Sequence, residues 1–357
     1  MIEVKLDRVK KRFSSVLAVD GVSFTAPAGE FLTLVGPSGC GKTTVLRLIA
    51  GFERPDAGDI LFSGKSVLAL PPERRRVGMV FQNYALLPHM TVAANVAYGL
   101  RFRDGVDKRA RVRELLELVD LVGLEERSPA ELSAGQRQRA ALARTLAPEP
   151  QLLLLDEPLS ALDAKLRERL RLEIKRLQRQ LKITTIYVTH DQEEALAISD
   201  RVAVMNSGRI EQLGAAQEVY SRPATEFVAS FIGRGNLLAG SISRISAGVL
   251  GVLLLPNGPQ IEIATDRATD HALGEEVKLL IRPEQIRLGQ ALENRLRGRV
   301  RGQEFLGDAF WAYLDCAGDE LRVKLPPGMP LLGEGDELEV SFSPLDCYLL
   351  PPATRPD

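Results

Sequence analysis

The sequence predicts a parallel α/β core followed by a smaller, mostly β domain, and three observations carry that prediction. Over about the first 235 residues short apolar runs alternate with longer amphipathic ones: FLTLVG then TTVLRLIAG, QLLLLD then LRLEIKRLQRQL, ITTIYVTH then EEALAIS. Parallel strands joined by helices produce that alternation. A glycine-rich stretch, GPSGCGKTT at 36–44, sits between one such strand and its helix. Beyond IGRGN at 232–236 the pattern becomes short strand-like pieces (EEVKLLIRPEQIRL, AFWAYLDC, ELRVKLP, DELEVSFSP) broken by Gly, Pro and Asp.

The 357 residues are enough for two domains, and we place them at 1–235 and 236–357 with IGRGN as the hinge. From about 87 to 150 helical patterns replace strands, notably KRARVRELLELVDLVGL, so a helical subdomain is expected to interrupt the first domain. Lys and Arg number 46 against 47 Asp and Glu, which leaves no general basic field to attract nucleic acid. Three scattered cysteines argue against a disulfide framework and for a reducing compartment. No apolar run approaches the roughly 20 residues of a membrane span, and the first residues lack the apolar core of a signal peptide. Any membrane role is expected to be peripheral. ERRR at 73–76 reads as a solvated face, with acidic lipid headgroups as an alternative neighbour. The stripe Leu166, Leu170, Ile174, Leu177 and Leu181 reads as a helix packed on the sheet.

GPSGCGKTT follows a strand and opens a helix, the context a phosphate-binding loop requires. Residues 36–44 (Gly36, Pro37, Ser38, Gly39, Cys40, Gly41, Lys42, Thr43 and Thr44) are read as the cradle. The glycines permit the turn, Lys42 reaches the β and γ phosphates, the Thr43 hydroxyl holds Mg²⁺ and Thr44 serves the α phosphate. Cys40 reads as a small filler rather than a redox sensor. QLLLLDEP at 151–158 ends a buried strand in two carboxylates. Asp156 is the second Mg²⁺ anchor such a loop needs, and Glu157 stands where it can orient or deprotonate the attacking water. His190 closes the strand ITTIYVTH at the edge where ligands gather, as a γ-phosphate sensor or a structural hydrogen-bonder. Gln82, in VFQNYALLPHM, also follows a strand-like run. In LSAGQRQRAALAR, Ser133 is a natural N-cap for a helix from Gly135 through Leu146. Its small first turn is either an ordinary capped end or a seat for an anion.

Taken in order, GPSGCGKTT, VFQ, LSAGQ, LLLLDEP, SALD and THD resemble the nucleotide-binding subunit of an ABC transporter. The resemblance implies an ATPase using ATP and Mg²⁺. It implies that Ser133, Gly135 and Gln136 cap ATP held on a second copy, making a homodimer with two composite sites. It further implies that Phe13 stacks on adenine (a core phenylalanine being the alternative), that Asp163 links the two sites, and that Gln82 reaches Mg²⁺ and moves the helical subdomain. NYALLPHMTVAANVAYGL would then include the groove for a short helix of the membrane subunit. Ala134 stands where the family more often has glycine; an added methyl removes no backbone donor, so a working site with tuned affinity is expected.

No membrane spans are fused, no long coiled coil is inserted and each motif occurs once, which favours an importer subunit over exporters, chromosome ATPases and two-module translation factors. LLIRPEQIRL at 279–288 resembles the TOBE domain, a small OB-like β-barrel appended to importer ATPases. The overall expectation is a P-loop ABC ATPase core with a helical subdomain and a C-terminal TOBE domain. It sits peripherally at the cytoplasmic face of the inner membrane, with permease subunits as partners and an extracytoplasmic solute-binding protein as an indirect one. The cargo expected first is ferric iron or another ion or polyamine, with sugar as the alternative. A soluble ABC ATPase acting on nucleic acid or ribosomes is the reading from a different class.

Overall fold

The computed structural model describes residues 1–357 apart from 102–104, 106, 161, 247, 255–257, 266–269, 290–291, 308, 317, 329–331 and 353–357. The chain separates into two compact units, Met1–Ala216 and Gln217–Asp357.

The first unit holds two sheets. β1 (Val4–Phe13) and β2 (Val16–Ala26) form a hairpin, and β1 also pairs with β4 (Ala57–Phe62), which pairs with β5 (Lys65–Ser66). The central sheet has the order β10-β9-β3-β8-β7-β6. Its strands are β3 (Phe31–Val35), β6 (Val77–Val80), β7 (Leu152–Asp156), β8 (Thr184–Thr189) and β9 (Arg201–Asn206), all parallel, with β10 (Arg209–Ala215) antiparallel at the edge. β3, β7 and β8 are buried at every position, because both sheet faces are covered. The pleat divides each run between two cores. Leu152 and Leu154 face the side of α1 (Lys42–Ala50) and the hairpin sheet, whereas Leu153 and Leu155 face the helices between β6 and β7.

Those helices are α2 (Val92–Tyr98), α3 (Lys108–Leu118) and α4 (Ala134–Leu146), and no strand lies among the described residues between β6 and β7. α5 (Ala164–Leu181) follows β7, capped by Asp163 and ended by Lys182 in a left-handed conformation. Its Leu170, Ile174 and Leu177 are buried and Leu166 packs against them, while Leu181 is exposed, one turn past the buried stripe. α6 (Gln192–Ile198) leads from β8 to β9.

ERRR is not uniformly solvated. Glu73, Arg74 and Arg76 are exposed, but Arg75 is buried. Its guanidinium donates to Leu48 O (2.8 Å) and Ile49 O (2.9 Å), carbonyls at the negative end of α1, and to Leu70 O (3.0 Å).

The second unit begins ahead of the hinge expected at 232–236, because α7 (Ala216–Ser221) and α8 (Glu226–Phe231) belong largely with the β domain. The physical reason is the buried Arg282, which donates to Ile232 O (2.5 Å), Ala229 O (3.3 Å) and Tyr220 O and lies over the Tyr220 ring. Two antiparallel sheets follow. One contains β11 (Asn236–Ser246), β12 (Val249–Leu254), β13 (Gln260–Ala264), β14 (Glu276–Ile281) and β20 (Cys347–Leu349); the other contains β15 (Arg287–Leu288), β16 (Asn294–Phe305), β17 (Phe310–Cys316), β18 (Asp319–Leu325) and β19 (Glu337–Phe342). Both contribute to one apolar core. β16 alternates cleanly, with Leu296 and Val300 inward and Arg295, Arg297, Arg299 and Arg301 outward, each paired with an acidic neighbour. Among the described residues no helix is long and apolar enough to cross a membrane.

Candidate active site

The parallel register brings the carboxyl ends of four strands to one edge. Val35 pairs with Thr189, Asp156 with Val188, and Val80 with Leu155. The loop 36–41, Glu157, His190 and Gln82 therefore all leave the sheet on the same side, where α/β sheets gather ligands.

Loop 36–41 is shaped by its neighbours. A Cβ on Gly36 would overlap the Met205 carbonyl, and one on Gly41, at φ +103°, the Ala18 carbonyl of β2. Gly208 N donates to Cys40 O at 3.0 Å, closing the loop from the other side. α1 then starts with no side-chain cap and no acidic residue in its first turn, so its orphan N–H groups form an anion seat. Lys42 is buried, and its ammonium donates to Gly36 O and Pro37 O, both at 2.8 Å, curling over the loop it serves. Ser38 and Gly39 are exposed. Cys40 is buried, its thiol raised by desolvation, which fits a filler.

Thr43 Oγ1 donates to Asp156 Oδ1 at 2.9 Å, so the two side chains expected to hold Mg²⁺ already meet. Burial raises the Asp156 carboxyl above its ordinary value, and the neighbouring Glu157 adds to this against the bond from Thr43 and the charges of Arg47 and Lys42. A buried carboxylate beside a hydroxyl is a hard oxygen donor set that suits Mg²⁺ completed by phosphate and water.

Glu157 sits in a left-handed conformation, φ +46°, with its N–H bonded to Val188 O at 3.0 Å. Strained backbone of this kind persists where surrounding contacts over-determine it. Its Oε2 lies 3.0 Å from His190 Nδ1; the histidine side chain is half exposed and the glutamate 19% exposed. His190 is thus a hydrogen-bonder to Glu157 at this edge. Behind it, Glu194 is buried and accepts from Tyr187 and Thr189 hydroxyls, both at 2.8 Å, its carboxyl raised by burial. Gln82 Nε2 donates to Ser160 Oγ at 3.3 Å, and Ser160 donates to Glu157 O at 3.0 Å.

The other predicted residues make their contacts elsewhere. Phe13 is 42% exposed at the tip of the β1–β2 hairpin, so it is no core residue; Lys11 lies 5.1 Å over its ring. Asp163 Oδ1 accepts from Leu166 N at 3.0 Å as the cap of α5. α4 begins at Ala134, one residue before the expected start, with a reciprocal box: Gln136 N donates to Ser133 Oγ (3.3 Å) and Ser133 N to the Gln136 side chain (2.8 Å). Gly135 turns its bare Cα toward α5, where a Cβ would lie 3.1 Å from Leu166 Cδ1. Its small size is thus used in packing as well as at the helix end.

Residues 19–160 match the family described as ABC transporter, and residues 279–350 the TOBE domain. The spermidine/putrescine import ATP-binding protein PotA of Thermobifida fusca (strain YX) is 46% identical over 363 residues, covering 98% of this chain and 93% of that protein. Its counterpart in Oleidesulfovibrio alaskensis is 52% identical over 353 residues, covering 95% and 92%. The chain belongs to the ABC transporter ATP-binding family. Among solved structures, the dimeric ABC transporter cassette MJ0796 is 31% identical with a TM-score of 0.54, covering 60% of this chain and 98% of that one; it is also known in a post-hydrolysis state with ADP and Pi. This ABC protein is accordingly an ATPase of the importer group that carries a TOBE domain. Sequence reasoning missed Ser160, although the quoted SALD contains it, because nothing local marks a serine as the bridge between Gln82 and Glu157.

Proposed function

We propose that this chain is the ATP-hydrolysing subunit of a polyamine importer, acting as a homodimer bound to permease subunits at the cytoplasmic face of the membrane. The observation that carries the reading is the cluster at the sheet edge: an uncapped α1, Thr43 against Asp156, and Glu157 held by His190 and linked through Ser160 to Gln82. The polyamine assignment rests on relatives named for spermidine and putrescine import, which favour polyamine among the ferric iron, other ion or polyamine expected first.

Phe13 offers an exposed ring for adenine. Backbone N–H groups of 36–44 and the α1 terminus cradle the phosphates, and Lys42 exchanges two loop carbonyls for phosphate oxygens. Thr43, Asp156 and Gln82 would hold Mg²⁺, which neutralises charge developing on the phosphoryl oxygens. Glu157 accepts the proton of the attacking water while His190 orients its carboxylate. Ser133, Gly135 and Gln136 face the nucleotide of the second copy. The first-turn N–H groups of Ala134 and Gly135 lack intrahelical partners and serve as donors, and the 3.3 Å cap bond is long enough to yield. Asp163 and the Gln82 segment then pass closure and opening to the other site and the permease.

The test is uptake of labelled spermidine and putrescine in cells lacking this gene and complemented with it or with a Lys42→Ala variant. Loss of polyamine uptake restored only by the intact chain is expected. Normal polyamine uptake alongside lost sugar uptake would overturn the cargo assignment, and copurification with ribosomes without any permease would overturn the transport reading.

A further inference from the structure

Nothing assigned so far explains the backbone just past Gln82. β6 ends at Val80, and after Phe81, Gln82 and Asn83 come two consecutive non-glycine residues in the left-handed region, Tyr84 (φ +61°) and Ala85 (φ +47°). Adjacent left-handed L-residues are uphill, since each sets Cβ against the backbone. Tyr84 adds to the cost, being buried with a hydroxyl that has no hydrogen-bond partner among the described residues.

One side chain holds both. Arg144, in the last turn of α4, donates from Nη1 to Ala85 O (2.7 Å) and from Nη2 to Tyr84 O (3.1 Å). A planar guanidinium fork is pre-organised to clamp two neighbouring carbonyls in this way, whereas an ammonium on a flexible stem loses more freedom in doing so. The clamp has a firm base, because Thr145 Oγ1 lies 3.4 Å from Met79 O, and a Cβ on Gly78 of β6 would sit 2.7 Å from the Thr145 methyl. Farther along, the buried Asn95 of α2 staples Leu87, Met90 and Thr91. The chain is therefore pinned at β6, again at Tyr84 and Ala85, and again from Leu87. Gln82 lies in the short span between the first two pins.

We infer that Arg144 is a positioning residue for Gln82: by clamping Tyr84 and Ala85 to the end of α4, it helps fix where the Gln82 amide meets Ser160 and ties that position to the helix capped by Ser133. This rests on the reading of Gln82 as a group that reaches Mg²⁺. Without Arg144 the pair keeps only its local turn bonds, Tyr84 N to Phe81 O and Ala85 N to Asn83 O, and the packing of the Tyr84 ring, so the tie to α4 is lost and Gln82 loosens.

The test is a double-mutant cycle on the full chain, reading kcat and KM for Mg-ATP in Arg144→Ala, Gln82→Ala and both together, with Arg144→Lys as the milder variant. Arg144→Ala is expected to lower kcat by about ten- to a hundredfold, the scale of a small misplacement of a positioning group, with KM changed by less than about threefold. Arg144→Lys should fall between Arg144→Ala and the parent, and the double variant should hydrolyse no more slowly than Gln82→Ala alone, within about twofold. Losses that multiply would overturn the inference while leaving the Gln82 reading intact. Parent-level kcat in Gln82→Ala would overturn that reading, and the inference with it. If Arg144→Ala does not fold, by thermal melting, the same cycle run with Arg144→Lys decides by the same criterion.

Discussion

Replacing Glu157 with Gln tests the hydrolytic reading at its centre. The swap is close to isosteric, and the backbone at this position is held by the bond from Glu157 N to Val188 O, which the side chain does not touch. The glutamine carbonyl can accept from His190 Nδ1 across the same 3.0 Å, so the pair and the fold survive. What disappears is a proton acceptor. A positioned general base contributes roughly 10²- to 10⁴-fold, and at about 1.36 kcal/mol per decade this is roughly 2.7–5.4 kcal/mol of barrier. Steady-state phosphate release at saturating Mg-ATP should fall by that factor. Binding should persist: ATP at about a hundredfold over Kd should still stabilise the variant by about 2.7 kcal/mol in thermal melts, as in the parent. The P-loop and the α1 terminus, which carry that binding, lie outside the substitution. Turnover within about threefold of the parent would remove Glu157 from the role of base, and lost ATP stabilisation would mean that it serves binding instead.

Three further outcomes follow from the packing. Arg75→Met should lower stability by roughly 2–5 kcal/mol in urea unfolding, since it strips the buried Leu48 and Ile49 carbonyls and the part-buried Leu70 carbonyl of their donor, and a change below about 1 kcal/mol would refute the capping of α1. Gly135→Ala should shift stability by less than about 1 kcal/mol, because helix propensity gained offsets a Cβ that meets only flexible leucine methyls at 3.1–3.4 Å; a loss above about 3 kcal/mol in the same assay would show that the α4–α5 contact cannot give. Burial pushes the Cys316 thiol up to about 11 and the Cys347 thiol up to about 12, from an ordinary 9.0. A raised thiol keeps its full contribution below the unfolded value and loses it as pH rises through the folded one. Melting temperature should therefore drop between pH 9 and 11 less steeply in a Cys316→Ala, Cys347→Ala double variant than in the parent, each thiol removing up to about 1.4 kcal/mol per pH unit. Parallel pH profiles for the two proteins would refute it.

Much of this protein is legible one residue after another. Strand and helix periods, the order of the motifs, the positions of Lys42 and Thr43 at the start of a helix and of Asp156, Glu157 and His190 at strand ends are local patterns, and a parallel sheet turns strand ends into a common edge. Capping at Ser133 and Asp163 is local too, needing only a short polar side chain and the next turn. Three arginines, two of them buried and Arg144 partly so, are not legible in this way. Arg75, Arg144 and Arg282 reach carbonyls 27, 60 and 62 residues away, and in sequence each is one more cation that the default reading leaves in water. Arg75 accordingly reads as solvated surface, and Arg282 moves α7 and α8 into the β domain ahead of the glycine-rich stretch that looks like the hinge. Sequence alone determined which chemistry the chain carries, because that chemistry depends on residue types at short fixed spacings. Tertiary structure alone decided how the pieces are braced, because a long guanidinium finds its acceptors only after distant helix ends and loops have been packed within its reach.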